Sequence, residues 1–145
     1  MTSLRAAVKL LASILLAFLL TSCNASDETM GLDMVGYNHT DHDIGFFAVN
    51  GQGGAYVGRH EGGGGFVCCV SIPSKYYPGM TVTVRWGGEE IGETQTRIVK
   101  VPHYKPEDGC HFAVHFLRSG EIVVFVTIYY PENNNYPLNG NFVNS

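Results

Sequence analysis

The chain has 145 residues, a formal net charge of −4 and nine Lys and Arg against thirteen Asp and Glu. That length suits one compact domain with a sizeable core and is too short for two. The few basic residues form no cluster, which argues against a nucleic-acid partner, because phosphate binding depends on basic patches. We therefore expect one weakly acidic domain that does not bind nucleic acid.

Residues 1–22 have the pattern of a bacterial lipoprotein signal peptide. Arg5 and Lys9 precede an apolar run over residues 10–20, which is shorter than the roughly 20 residues that a membrane-spanning helix needs. The last residue of the run begins the order Leu-Thr-Ser-Cys at residues 20–23, which a lipoprotein signal peptidase cleaves before the cysteine. We expect Cys23 to become a lipidated N terminus, anchored by acyl chains at about 0.8 kcal/mol per buried CH₂.

The residues after the cysteine predict where the protein resides. Asn24 occupies the position where an aspartate would signal retention in the inner membrane, so we expect the inner leaflet of the outer membrane, facing the periplasm. Residues 23–29 are small and polar and are predicted to form a tether. Removing 22 residues leaves 123, in which seven Lys and Arg face thirteen Asp and Glu, a net charge of −6.

Residues 30–130 are predicted to form a single β domain, because short β-branched and aromatic runs alternate with Gly, Pro and Asn. Residues 80–86 alternate apolar and polar side chains, so one face should be buried and the other wet. Residues 121–130 are apolar on both faces and predict a central strand covered on both sides. The turn at residues 118–120 predicts a hairpin between this strand and residues 112–117.

Four further runs bring the expected number of strands to about seven. These runs are residues 32–37, 44–49, 66–72 and 94–101. Seven short strands predict an antiparallel β-sandwich of immunoglobulin-like dimensions, with a small, partly open β-barrel as the alternative.

Two segments are predicted to be irregular. Residues 51–65 contain eight glycines in fifteen positions and are interpreted as a flexible loop between strands. Residues 131–145 are rich in Asn and Pro and are interpreted as a tail that packs only through Tyr136 or Phe142.

The cysteines predict one disulfide. Lipidation of Cys23 leaves three cysteines in an oxidising compartment, enough for one bond and one thiol. Neighbouring residues of a strand point to opposite faces, so Cys68 and Cys69 should not pair with each other. Cys68 shares the more apolar face of its strand and Cys110 aligns with an apolar face, so we predict Cys68–Cys110, with Cys69–Cys110 as the alternative.

The histidines do not predict a metal site. His111 and His115 share a strand face, but residues four apart on a strand lie about 13 Å from each other, too far for one ion. His39 and Asp41 belong to a polar segment that is more typical of a turn. The sequence has no Gly-x-Ser-x-Gly motif and its serines have no recognisable catalytic setting, so we predict a protein without enzymatic activity or cofactor.

The chain resembles an uncharacterised-domain family of small proteobacterial lipoproteins over nearly all of its mature length. Its most specific feature is a strand with two adjacent cysteines, followed by Pro-Gly and a Val-x-Val-x-Trp strand. Tyr77 precedes the Pro-Gly, where many relatives have tryptophan. The resemblance rests on residues 36–41, 49–51, 65–73, 78–79 and 82–86, Cys110, and residues 114–117 and 119–120.

The resemblance implies an immunity function, because these lipoproteins are often encoded beside phospholipase effectors of type VI secretion systems. The protein would bind and silence a cognate lipase or phospholipase delivered by a sister cell. The alternative is a structural or ligand-binding envelope lipoprotein without enzymatic activity. Loops held by a rigid sheet often carry binding residues, and the expected contact residues are Asn38, His39, Asp41, Tyr56 and Arg59.

Overall fold

The structure, a computed structural model, describes residues 3–4 and 28–138. The predicted signal peptide lies outside these residues except at 3–4, and Cys23 and Phe142 lie outside them. No helix in the described part is long and apolar enough to cross a bilayer. The chain order is β1 (Thr29–Asn38), β2 (Ile44–Val49), β3 (Gln52–Val57), β4 (Gly62–Pro73), β5 (Thr81–Gly88), β6 (Gly92–Lys100), the 3₁₀ helix η1 (Pro106–Asp108), β7 (His111–Phe116) and β8 (Ile122–Thr127).

The eight strands of the described residues form two open four-stranded sheets, which confirms the predicted all-β sandwich. The first sheet has the order β4-β1-β7-β8 and the second has the order β3-β2-β5-β6. Every pairing is antiparallel except that of β1 with β7, which is parallel from Asp33–His111 to Asn38–Phe116. The first strand therefore lies inside its sheet, between β4 and β7.

Apolar side chains from the facing sides of both sheets form the main core. Phe47 of the second sheet meets Phe116 of the first edge to face, with ring centroids 5.8 Å apart. Gly36 lies between the sheets, where an added Cβ would approach Val57 to 2.6 Å and Phe47 to 2.7 Å. The sheets pack at this distance because position 36 has no side chain. Burial of each large apolar side chain contributes about 1.5–3 kcal/mol.

The glycine-rich segment is not the flexible loop that the sequence predicts. It contains β3 and the start of β4, and its first turn joins β2 to β3 through Asn50 and Gly51, both with positive φ. A two-residue turn of this kind matches the twist of an antiparallel hairpin. Within β3, Ala55 and Val57 are buried in the core. Two alternating apolar positions are enough to add a strand to the second sheet.

The outer face of the first sheet is also covered, because the chain after β8 returns across it. Tyr136 is buried there in a second core cluster with Val35, Tyr37 and Ala113. The expectation that Tyr136 packs is confirmed. The predicted central strand at residues 121–130 is instead β8, at the edge of its sheet, and the returning tail is what covers its outer side.

The cysteines are not joined as predicted. Cys68 is bonded to Cys69, and Cys110 is an exposed free cysteine. Because β1 lies between β4 and β7, Cys68 and Cys110 are two strand spacings apart, about 10 Å, whereas disulfide-bonded residues need Cα atoms within about 7 Å. Neither predicted pairing, Cys68–Cys110 or Cys69–Cys110, fits this sheet order.

A β-bulge explains why Cys68 does not lie on the apolar face of β4 that the sequence predicts. Leu32 of β1 pairs with Val70, and Met34 pairs with Val67. Two residues of β4 therefore stand opposite the single β1 residue Asp33, where regular alternation would place one. An extra residue of this kind reverses the inward and outward pattern of the strand beyond it.

Candidate functional site

Four turns from both sheets converge at one end of the sandwich, which we call the loop end. They are residues 39–43 between β1 and β2, 58–61 between β3 and β4, 89–91 between β5 and β6, and 117–121 between β7 and β8. Backbone hydrogen bonds join them: the Asn38 amide donates to the Glu61 carbonyl, and the His39 amide donates to the Phe116 carbonyl. The loop end is therefore a continuous surface.

Asn38 shapes the first turn from inside. Its side chain is 1% exposed; its Nδ2 donates to the carbonyls of His42 at 2.7 Å and Val57 at 3.2 Å. Its Oδ1 accepts from the backbone amide and the hydroxyl of Thr40. Asn and Asp commonly organise turns in this way, which confirms the predicted polar turn. Asn38 itself is not at the surface, so that part of the predicted contact set is wrong.

A network of three charged residues connects the first, second and third turns. Asp43 accepts hydrogen bonds from the backbone amide of Arg59 at 2.8 Å and from its Nε at 3.1 Å. Arg59 Nη2 also contacts Glu90, which accepts a hydrogen bond from the Asp43 amide at 2.7 Å. The Arg59 side chain lowers the pKa of Asp43 to about 2, and a hydrogen bond with Asp43 raises the pKa of Tyr56.

A second charged group brings in the fourth turn. Asp41 Oδ1 lies 2.8 Å from His60 Nε2 and 3.5 Å from Arg118 Nη2. All three side chains are about half exposed or more, and such exposed pairs contribute little to stability. They link the first, second and fourth turns across the surface.

His39 connects this surface to the covered outer face of the first sheet. His39 Nε2 lies 2.9 Å from His115 Nδ1, and His115 Nε2 lies 2.6 Å from the Tyr136 hydroxyl. The His115 ring stacks between Tyr37, with centroids 4.5 Å apart, and His39, with centroids 5.2 Å apart. Burial, followed by the charge of His39, lowers the pKa of His115 to about 3, so this ring is neutral in the folded protein near neutral pH.

The hydrogen bonds of these histidines have a structural pattern. In the part of the chain that the structure describes, His39 bonds to His115, His60 bonds to Asp41, and His115 also bonds to Tyr136. A nucleophilic site pairs a histidine with a hydroxyl or thiol and orients that histidine with a third group, but here the hydroxyl, that of Tyr136, and its partner His115 are 4% and 1% exposed. What this arrangement offers chemically at the loop end is an ordered pattern of hydrogen-bond donors and acceptors.

The structure brings together most of the predicted contact residues. Asp41, Tyr56 and Arg59 meet at the loop end, with His39 half-buried beside them. Sequence reasoning missed His60, Glu90 and Arg118 because they come from distant turns. It also missed the link from His115 to Tyr136, although the shared strand face of His111 and His115 was a usable signal and is confirmed.

These features define an all-β sandwich with a charged loop end. The family model for a protein of unknown function, DUF3304, matches residues 37–124, more than half of the chain, and the chain belongs to this family. The matched region contains all four turns of the loop end. No curated protein and no solved structure matches the chain.

Proposed function

We propose that this protein is a periplasm-facing lipoprotein that binds and neutralises a type VI secretion lipase or phospholipase effector. The observation that carries the proposal is the loop end, where Asp41, Asp43, Arg59 and Glu90 hold turns of both sheets in one exposed surface. A surface ordered before binding loses less conformational entropy on association, which favours tight binding. The sequence resemblance to lipoproteins encoded beside phospholipase effectors supports this choice of partner.

The proposed mechanism is occlusion. The loop end would cover either the catalytic cleft of the lipase or the surface by which the lipase reaches the bilayer. Tyr56 and Arg59 are both exposed and adjoin Asp43, and Tyr and Arg are the residue types that most often dominate binding energy. Cys23 would hold the protein at the membrane, where a lipase acts.

The test is to direct the lipase encoded by the neighbouring gene to the periplasm of cells with and without this protein. We expect survival with the wild type and loss of survival with Arg59→Ala, whose affinity for the lipase should fall about tenfold or more. Lys100→Ala is the matched control, because Lys100 is an exposed cation on β6 at the other end of the sandwich.

The localisation is tested separately. Cys23→Ala should abolish palmitate labelling and weaken protection, while the purified variant still binds the lipase. If cells die equally with and without folded, correctly localised wild-type protein, the immunity proposal fails and the structural-lipoprotein alternative replaces it.

A further inference from the structure

The β-bulge of β4 places a group of metal-binding side chains on the outer face of the first sheet. Asp33 and Cys68 are exposed, and Cys69 is half-buried. One carboxylate oxygen and the two sulfur atoms all lie within 4.8 Å of one another. Cys69 Sγ is 3.8 Å from Asp33 Oδ1. On a regular strand the two cysteine side chains would point to opposite faces, so the bulge is what brings them together.

A buried histidine lies beside this group, on the next strand. His111 of β7 is the register partner of Asp33 on β1, and neighbouring strands are about 4.8 Å apart. The His111 side chain is 1% exposed, yet neither of its ring nitrogens has a hydrogen-bond partner among the described residues. A buried polar group without a partner is unfavourable, and most such groups in proteins are satisfied. The His111 ring stacks on Tyr130, with centroids 4.6 Å apart, and its nitrogens lie outside the group of donor atoms that are within 4.8 Å of one another.

We propose that Asp33, Cys68 and Cys69, in the dithiol state, bind one thiophilic divalent cation such as Zn²⁺, with water completing its coordination. Thiolate, imidazole and carboxylate are the donors that zinc takes in proteins, at ligand distances of about 2.0–2.3 Å. Cys69 Sγ and Asp33 Oδ1, which are 3.8 Å apart, are close enough to reach one ion at those distances. The site lies at residues that the loop end does not use, so it is independent of the proposed partner binding.

The bond between Cys68 and Cys69 makes the site conditional on redox state. Reduction by a dithiol transfers two electrons and two protons, breaks the sulfur–sulfur bond and leaves two cysteine thiols, while the reductant becomes a disulfide. Binding of Zn²⁺ then releases the two thiol protons to solvent, because thiolates are the metal ligands. In the disulfide form the sulfur atoms are not available as thiolates.

The experiment measures Zn²⁺ binding to the purified full chain carrying Cys23→Ser, which removes the thiol outside the described residues. A chromophoric chelator competes for Zn²⁺, and the ultraviolet charge-transfer band of added Cd²⁺ reports thiolate coordination. The reduced chain should bind one ion, and the oxidised chain should show no charge-transfer band. Since loss of a supporting residue already costs about 10–100-fold in metal affinity, Cys69→Ser and Asp33→Asn should each cost at least about tenfold.

Cys110→Ser is the matched control, because Cys110 is exposed and free and lies outside the proposed set. It should leave the affinity unchanged. The proposal is overturned if the reduced chain binds no more Zn²⁺ than the oxidised chain, or if only Cys110→Ser lowers the affinity. The comparison of reduced with oxidised protein uses one sequence, so it does not depend on whether a variant folds.

Discussion

The outer faces of the two sheets differ, although both sheets share one core. On the first sheet, Tyr37, His115 and Tyr136 lie under the returning tail, and polar atoms are buried with the apolar ones. On the second sheet, the outer positions of β5 and β6 are exposed, and Ile98 there is 72% exposed. A strand buried on both faces must satisfy its polar groups internally, whereas a wet face leaves them to water. Loss of a single polar atom, or a change of pH, should therefore lower the free energy of unfolding through the first sheet but not through the outer face of the second.

The largest expected effect comes from breaking the core that both sheets share. Phe112→Ala removes a ring that is 0% exposed on the inner side of β7 and should lower the free energy of unfolding by about 3–5 kcal/mol. Urea denaturation of wild type and variant measures it. A loss below about 1 kcal/mol would show that the two sheets do not depend on this packing.

The next largest effect is a pH dependence of the free energy of unfolding, which arises from His115 in the first sheet. The pKa of His115 is about 3 in the folded protein and near 6.5 when unfolded, so below pH 6.5 the unfolded chain binds more protons. Stability should therefore fall as the pH drops, by about 2 kcal/mol from this residue between about pH 7 and pH 5.

The measurement is urea denaturation at both pH values, compared with His115→Gln. Burial also lowers the pKa values of His39 and His111, which adds to the trend in the same direction. Asp43 has a pKa of about 2 in the folded protein and 3.8 when unfolded, so the stability that it contributes is lost only at lower pH. An equal pH slope in wild type and His115→Gln would contradict the assignment to His115.

A smaller effect tests a single hydroxyl. Tyr136→Phe keeps the ring but leaves His115 Nε2 without its partner, which should cost about 1–2 kcal/mol. Tyr130→Phe is the control, because Tyr130 is 44% exposed and its hydroxyl can bind water. Thermal unfolding compares the two, and equal midpoints would mean that the buried hydrogen bond contributes nothing.

The smallest effect is expected on the wet face of the second sheet. Ile98→Thr should change the free energy of unfolding by about 0.5 kcal/mol or less, as exposed substitutions usually do. A loss above about 1 kcal/mol in the same urea assay would indicate that this face is buried against another surface.

Parts of the fold and site could be predicted because they depend on residues that are close together in the sequence. The polar turn after β1 was predicted from Asn38 and its neighbours, and its hydrogen bonds confirm it. The hairpin at Asn50 and Gly51 was missed, although adjacent Asn and Gly are a strong hairpin signal, because the surrounding glycines were interpreted as a loop. His60 and Arg118 joined the site only through contacts between distant turns.

The sequence by itself determined the all-β class, the alternating faces of β5 and the β7–β8 hairpin, because alternation and turn chemistry act over a few residues. Only the tertiary structure decided that β1 lies between β4 and β7, that a bulge brings the side chains of Cys68 and Cys69 together, and that four turns meet at the loop end. Strand order and register depend on pairing between distant segments. One inserted residue exchanges the inward and outward positions of a strand, and the local sequence pattern does not show it.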